Sequence, residues 1–108
     1  MTRHRSRLQI IRDLLGVVGE GSRKTHIMYG ANLSYGLLCR YLDLVVEAGL
    51  VRVVRGSGTP YKITRKGERF LERYEEFSER RERLRQQVDG FETKEAELEA
   101  MCSVPGGR

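Results

Sequence analysis

The sequence predicts a mainly α fold in which three short helices and a β-hairpin precede one long C-terminal helix. Three observations predict it. Apolar residues recur at helical spacing in three segments before Gly49, and a β-branched run with its return follows around the Gly56-Ser57-Gly58 turn. A seam of alternating fours and threes then runs unbroken to Cys102.

In the first segment Leu8, Ile11, Leu14, Leu15 and Val18 share a face, and Gly19 and Gly21 end the pattern. Ser22 is expected to cap a short second helix through Ile27 and Met28, closed by Gly30, because its hydroxyl can satisfy an orphan amide. Ser34 stands at the next cap position, before Leu37, Leu38, Tyr41, Leu42, Val45 and Val46, and Gly49 stops this third helix. Leu50 to Arg55 then reads as a strand, Gly56 to Thr59 as a turn, and Pro60 to Ile63 as the return strand. Pro60 is tolerable because a two-stranded wing is all edge. Thr64 caps the last helix, and Gly67 is a mild irregularity one turn into it. This order is that of a winged helix-turn-helix. The expected organisation is a module over 1–64, a dimerisation helix over 65–102 and a flexible tail over 103–108.

The 108 residues leave room for one small core, and 39% apolar with 32% charged residues suits neither a disordered chain nor a membrane protein. The uncharged stretch Met28 to Cys39 is interrupted by Gly30, Asn32, Ser34 and Gly36, so neither a membrane span nor a signal-peptide core is expected. The expected location is the cytoplasm, beside the nucleoid. Cys39 and Cys102 lack CxxC spacing, and with His4 and His26 they form no metal set, so both are expected as reduced thiols and no metal or cofactor is implied. A nucleophilic Cys39 would need a base, which only His26 on the adjacent helix could supply. With no other acid, base or nucleophile constellation, an enzyme is not expected and no catalytic residue is assigned.

The net charge of +5 is unevenly placed. Met1 to Thr64 holds ten bases and four acids, a net of +6, whereas Arg65 to Arg108 holds ten bases and eleven acids. Excess positive charge concentrated in one module suits a polyanion.

The seam comprises Phe70, Tyr74, Phe77, Arg81, Leu84, Val88, Phe91, Glu95, Leu98 and Cys102, an aromatic and aliphatic stripe that a lone helix would expose. These ten positions are the expected dimer interface of a two-stranded coiled coil. A parallel pair would set Arg81 against Arg81 and Glu95 against Glu95, like charges in a desolvated seam. An antiparallel pair centred on Val88 matches positions whose numbers total 175 or 176, so Arg81 meets Glu95, Leu84 meets Phe91, Phe77 meets Leu98 and Tyr74 meets Cys102. The flanks agree: Arg65 to Val88 carries +2 and Asp89 to Cys102 carries −4. An antiparallel homodimer is therefore expected.

Thr25-His26-Ile27-Met28-Tyr29-Gly30-Ala31-Asn32-Leu33-Ser34-Tyr35, then Arg40-Tyr41-Leu42, Gly49-Leu50-Val51, Tyr61 to Gly67 and Phe70-Leu71 together resemble the pattern of an archaeal family of winged-helix DNA-binding proteins. The likeness covers roughly residues 8 to 77. It implies a winged helix-turn-helix fold and double-stranded DNA as partner, and small crenarchaeal members, described as chromatin or regulatory proteins, dimerise through an antiparallel coiled coil. Where such members often carry Lys on the outer face of the third helix, this chain has Gly36 and Cys39, leaving Arg40 the sole base between Ser34 and Leu50.

In such a fold the helix over 34–48 enters the major groove and the wing over 50–63 lies on the backbone or minor groove. Ser34, Tyr35 and Arg40 are the candidate base readers, few enough that modest specificity is expected. Asn32 and Ser34 are alternatively caps alone, and Tyr35 alternatively packs. Arg23, Lys24 and His26 open the second helix, where positive side chains and a helix start favour phosphate, although a solvated first turn explains them too. On the wing Arg52, Arg55, Ser57 and Lys62 are the candidates. Arg3, Arg5 and Arg7 form either a basic arm or a solubilising stretch. Two modules at the ends of a helix of roughly 57 Å exceed half-sites one turn, about 34 Å, apart, so the DNA bends or the dimer bridges segments. A transcription regulator and a chromatin organiser both fit. The rival reading is a protein-interaction adaptor that uses the winged module and the coil without DNA.

Overall fold

The computed structural model describes residues 5–104. Its elements are α1 (Arg7–Val18), α2 (Lys24–Gly30), α3 (Tyr35–Glu47), β1 (Val51–Val53), β2 (Tyr61–Ile63) and α4 (Arg65–Met101). They fall into two compact units divided between Tyr74 and Glu75, with α4 contributing to both.

Helix α1 starts at a reciprocal cap. The Ser6 hydroxyl accepts from the Gln9 amide at 3.2 Å, and the Gln9 side chain accepts from the Ser6 amide at 2.8 Å, which satisfies two orphan donors. Ile10, Ile11, Leu14, Leu15 and Val18 form its buried face. Leu8, expected on that face, lies in the first turn and is 45% exposed. Ile10 completes the face in its place. Leu14, Leu15, Ile27, Leu38 and Val45 are fully enclosed, each burial contributing about 1.5–3 kcal/mol.

The expected Ser22 cap is corrected by the structure. Ser22 is buried, its hydroxyl lies 2.9 Å from both the Val17 and Val18 carbonyl oxygens, and Arg23 is the N-cap residue of α2 without a side-chain cap bond. The Ser22 backbone is engaged as a strand: its amide donates to the Tyr61 carbonyl at 2.9 Å and its carbonyl accepts from the Tyr61 amide at 3.1 Å. A buried hydroxyl must find a partner, and here it finds the frayed carbonyls at the end of α1.

Between α2 and α3 the chain turns through Asn32, whose φ of 53° is the left-handed conformation that Asn tolerates better than most side chains. Ser34 caps α3 as expected, its hydroxyl accepting from the Leu37 amide. The turn is also held from outside. Arg5 donates to Asp13 at 2.8 Å, to the Ala31 carbonyl at 2.8 Å and to the Asn32 carbonyl at 2.7 Å. Arg5 is thus a strut of the helix-turn-helix and not part of a frayed basic arm. Arg7 is exposed at the start of α1, and Arg3 lies outside the described residues.

The wing pairs Val51 with Ile63, Arg52 with Lys62 and Val53 with Tyr61 in antiparallel register. Val51 points inward and Arg52 outward, as strand alternation requires. Gly56 takes a φ of 81° at the tip, which most L residues avoid.

Thr64 performs two tasks at the entry to α4: its hydroxyl oxygen accepts from the Gly67 amide at 3.1 Å, and its O–H donates to the Gly49 carbonyl at 2.6 Å. Gly67 is explained by contact. A Cβ there would strike the Leu50 carbonyl oxygen and lie 2.6 Å from Ile63 Cγ1. Phe70 and Leu71 pack on the core, and Tyr74 is 8% exposed with its ring stacked 6.2 Å from Phe70. The first unit therefore extends past Thr64 to Tyr74, because the opening turns of α4 close the core.

In the second unit the side chains from Glu79 to Val104 are exposed. Arg85 pairs with Glu82 at 2.7 Å, and the Arg81 guanidinium lies 5.2 Å from the Phe77 ring centroid. Cys102 falls one residue beyond the helix end. Among the described residues no helix is long and apolar enough to cross a membrane, and no group of three His, Cys, Asp or Glu side chains gathers as for a metal.

Candidate nucleic-acid interface

The two helices of the turn present their starting residues together. Lys24, in the first turn of α2, holds its ammonium 5.7 Å from the centroid of the Tyr35 ring, the first residue of α3. The Tyr35 ring is 64% exposed, so of the two readings open for it, packing in the core is excluded. Arg23, His26 and Ser34 are exposed around this pair in sequence. Ser34 serves α3 as a cap, and its hydroxyl proton remains available as a donor.

The outward stripe of α3 follows from its inward one. With Leu38, Leu42 and Val45 buried, the exposed positions after Tyr35 are Gly36, Arg40, Asp43 and Glu47, spaced four, three and four. Cys39 is half-buried beside this stripe. Arg40 is evident from the sequence as the base of this helix, whereas the two carboxylates that follow it on the same face emerge only once the buried face is known. Their placement confines any favourable contact with a polyanion to the first half of α3, since Asp43 and Glu47 repel phosphate. Tyr29, 78% exposed in α2, was likewise not assigned. Its exposure depends on how α2 packs, and a seven-residue helix has too few positions for periodicity to reveal that.

On the wing, Arg52 and Lys62 occupy one cross-strand pair, and Arg55 is exposed at the turn. Ser57 accepts from the Thr59 amide at 3.1 Å, so its oxygen shapes the tip. The structure thus brings Lys24 together with Tyr35, and Arg52 together with Lys62. A cleft of about 410 Å³ lined by Lys24, Asp43, Glu47, Val53 and Tyr61, with Leu42 and Val46, separates α3 from the wing.

Some bases of the chain are held by carboxylates. Arg5 and Arg12 are paired with Asp13, and Arg83 and Arg85 with glutamates. Among the described residues Arg23, Lys24, Arg40, Arg52, Arg55 and Lys62 make no ion pair. All six cations assigned to the site thus lack an ion-pair partner, as do Arg7, Arg65, Lys66, Arg69, Arg73, Arg80, Arg81 and Lys94 elsewhere among the described residues.

The seam expected from Phe70 to Cys102 behaves differently along its length. Phe77, Leu84, Val88, Phe91 and Leu98 are 47–75% exposed, whereas Phe70 and Tyr74, ahead of them in the seam, are occupied within their own winged module.

Comparison with known proteins gives consistent relatives. A family model described as winged helix-turn-helix matches residues 4–82. The crystal structure of Sso10a-2, a DNA-binding protein from Sulfolobus solfataricus, superposes with a TM-score of 0.68 at 27% identity, over 87% of this chain and 96% of that one. A multiple antibiotic-resistance repressor (MarR) from Listeria monocytogenes shares the fold, with a TM-score of 0.52 at 15% identity over 90% of this chain and 73% of that one. An uncharacterized protein of Methanocaldococcus jannaschii is 35% identical over 49 residues, 44% of this chain, and the match spans half of that protein's length.

Proposed function

Because this chain belongs to the winged helix-turn-helix family, we propose that it is a double-stranded DNA-binding protein acting as a transcription regulator or chromatin organiser. The observation that carries the reading is the set of six cations without acidic partners on α2, α3 and the wing. Cations held by no carboxylate remain available to an external anion, and Asp43 and Glu47 limit this on α3 to its first half. The likeness to Sso10a-2, itself described as DNA-binding, supports the same reading.

In this proposal the first half of α3 enters the major groove with Ser34, Tyr35 and Arg40, while Arg23, Lys24 and His26 lie on phosphates. Arg52, Arg55, Ser57 and Lys62 carry the wing onto the backbone or minor groove. One guanidinium and two hydroxyls read few base edges, so discrimination among sequences is modest. The second part of the proposal is an antiparallel homodimer through the α4 seam beyond Tyr74, in which the Arg81 and Glu95 layers meet across chains. The exposed stripe from Phe77 to Leu98 supports it, since apolar area on this scale is normally covered by a partner. A helix of 37 residues, about 56 Å long, then holds the two modules too far apart for adjacent half-sites on straight DNA.

The test is duplex affinity of the full chain as salt rises, on random and selected sequences. Phosphate neutralisation by several cations gives a steep linear decline of log affinity against log salt. An adaptor that uses this module for proteins would show little duplex affinity at moderate salt, and that result would overturn the proposal.

A further inference from the structure

A separate groove of about 340 Å³ opens beside the first turns of α4, lined by Leu50, Lys66, Arg69, Phe70 and Arg73. None of these belongs to the DNA-facing set. The floor is apolar: Leu50 and Phe70 belong to the module's packed hydrophobic cluster, with Phe70 only half-buried and stacked on Tyr74. The rim is cationic. Positions 66, 69, 70 and 73 share one face of a helix, so three cationic side chains flank the Phe70 ring.

No carboxylate lines the groove, and among the described residues Arg69 and Arg73 make no ion pair. Like charges four apart on a helix repel by a few tenths of a kcal/mol, and here the repulsion surrounds the partly exposed Phe70 ring. Lys66 is partly used, since its ammonium donates to the Ala48 carbonyl at 2.7 Å just after α3.

We propose that this groove binds a small amphipathic carboxylate, with its apolar body on Leu50 and Phe70 and its carboxylate between the Arg69 and Arg73 guanidiniums. A polyphosphate backbone would match the rim and waste the floor, while a neutral apolar molecule would leave the two guanidiniums unmatched. A carboxylate on a flat apolar body satisfies both, and guanidinium forks suit its two oxygens. The volume is at the lower end for small-molecule sites. The groove lies where α3, β1 and α4 meet: Leu50 donates its amide to the Val45 carbonyl and accepts from the Thr64 amide. A bound ligand therefore touches the junction from which both the helix and the wing project.

The test needs no DNA. Amide resonances of the full chain are followed during titration with 2-naphthoate, with 2-naphthol as the neutral body and acetate as the bare anion. Saturable shifts at residues 48–51 and 66–73 with 2-naphthoate, at least about tenfold weaker with either control, are expected. Arg69→Gln with Arg73→Gln should weaken 2-naphthoate about tenfold or more while thermal unfolding stays unchanged. Equal binding of 2-naphthol, an unaffected double variant, or no saturable shift at about 10 mM would each overturn the proposal. So would shifts at these amides that follow protein concentration and exclude 2-naphthoate, since a second copy would then be the occupant.

Discussion

Arg52 and Lys62 stand directly opposite each other across the two strands of the wing, on the side away from buried Val51. Opposed like charges destabilise a strand pair by some tenths of a kcal/mol. Replacing both by Gln should leave the melting temperature equal or slightly higher and weaken duplex binding. The log-log salt slope should fall by roughly 2, about 0.9 for each lost phosphate contact. An unchanged slope in fluorescence anisotropy titrations would remove the wing from the interface.

The carboxylates on the outer stripe of α3 make the opposite prediction. Asp43→Asn with Glu47→Gln should tighten duplex binding roughly threefold to tenfold at about 0.1 M salt, where neighbouring charges within about 10 Å still act. If affinity were unchanged on every duplex, the outward stripe of α3 would not approach DNA.

How much of this was legible in the sequence differs element by element. The order of helices and hairpin follows from apolar spacing, and the Ser34 and Thr64 caps from the residue before each helix, because both signals are local. Ser22 was misread because a hydroxyl ahead of a helix satisfies the cap pattern whether or not it turns back, and its true partners, the Val17 and Val18 carbonyls and Tyr61, are set by tertiary packing. Arg5 was misread for the same reason, since its carbonyl acceptors at Ala31 and Asn32 come from 26 and 27 residues away. In the site, the base types and the wing were legible, whereas the exposure of Tyr29 and the position of Asp43 and Glu47 required knowing which face of each helix is buried.

Arg5→Ala should destabilise the first unit by about 1–2 kcal/mol, less than a fully buried charged hydrogen bond because the pair with Asp13 is partly exposed. Urea unfolding should show a lower midpoint with an unchanged slope. A midpoint equal to that of the parent protein would mean that the Asn32 turn holds itself.

Two glycines of α4 should respond in opposite directions. Gly67→Ala places a methyl against the Leu50 carbonyl and Ile63, a steric conflict expected to cost about 1–3 kcal/mol. Gly90→Ala meets nothing within 4 Å and should stabilise the helix by about 0.5–1 kcal/mol. Thermal melts followed by circular dichroism distinguish the two, and a neutral Gly67→Ala would contradict the close approach of α4 to the wing.

Cysteines placed singly at Phe77 and Leu98, with Cys39 and Cys102 changed to Ser, report chain direction. Mixed oxidation should give the 77-to-98 crosslink as the main dimer. Ready self-linking of each variant without the mixed product would establish a parallel pair.

Strand β2 lies between β1 and the single bridging residue Ser22, so the strand is bonded on both edges: Tyr61 exchanges both its backbone groups with Ser22, and Ile63 donates to the Gly19 carbonyl at 2.8 Å. A force applied at the wing tip is therefore transmitted into the loop that leads to α2. Spreading the wing from that loop would break the two Ser22–Tyr61 backbone bonds, at about 0.5–1.5 kcal/mol each, so the helix pair and the wing should meet a groove as a stiff clamp of fixed span.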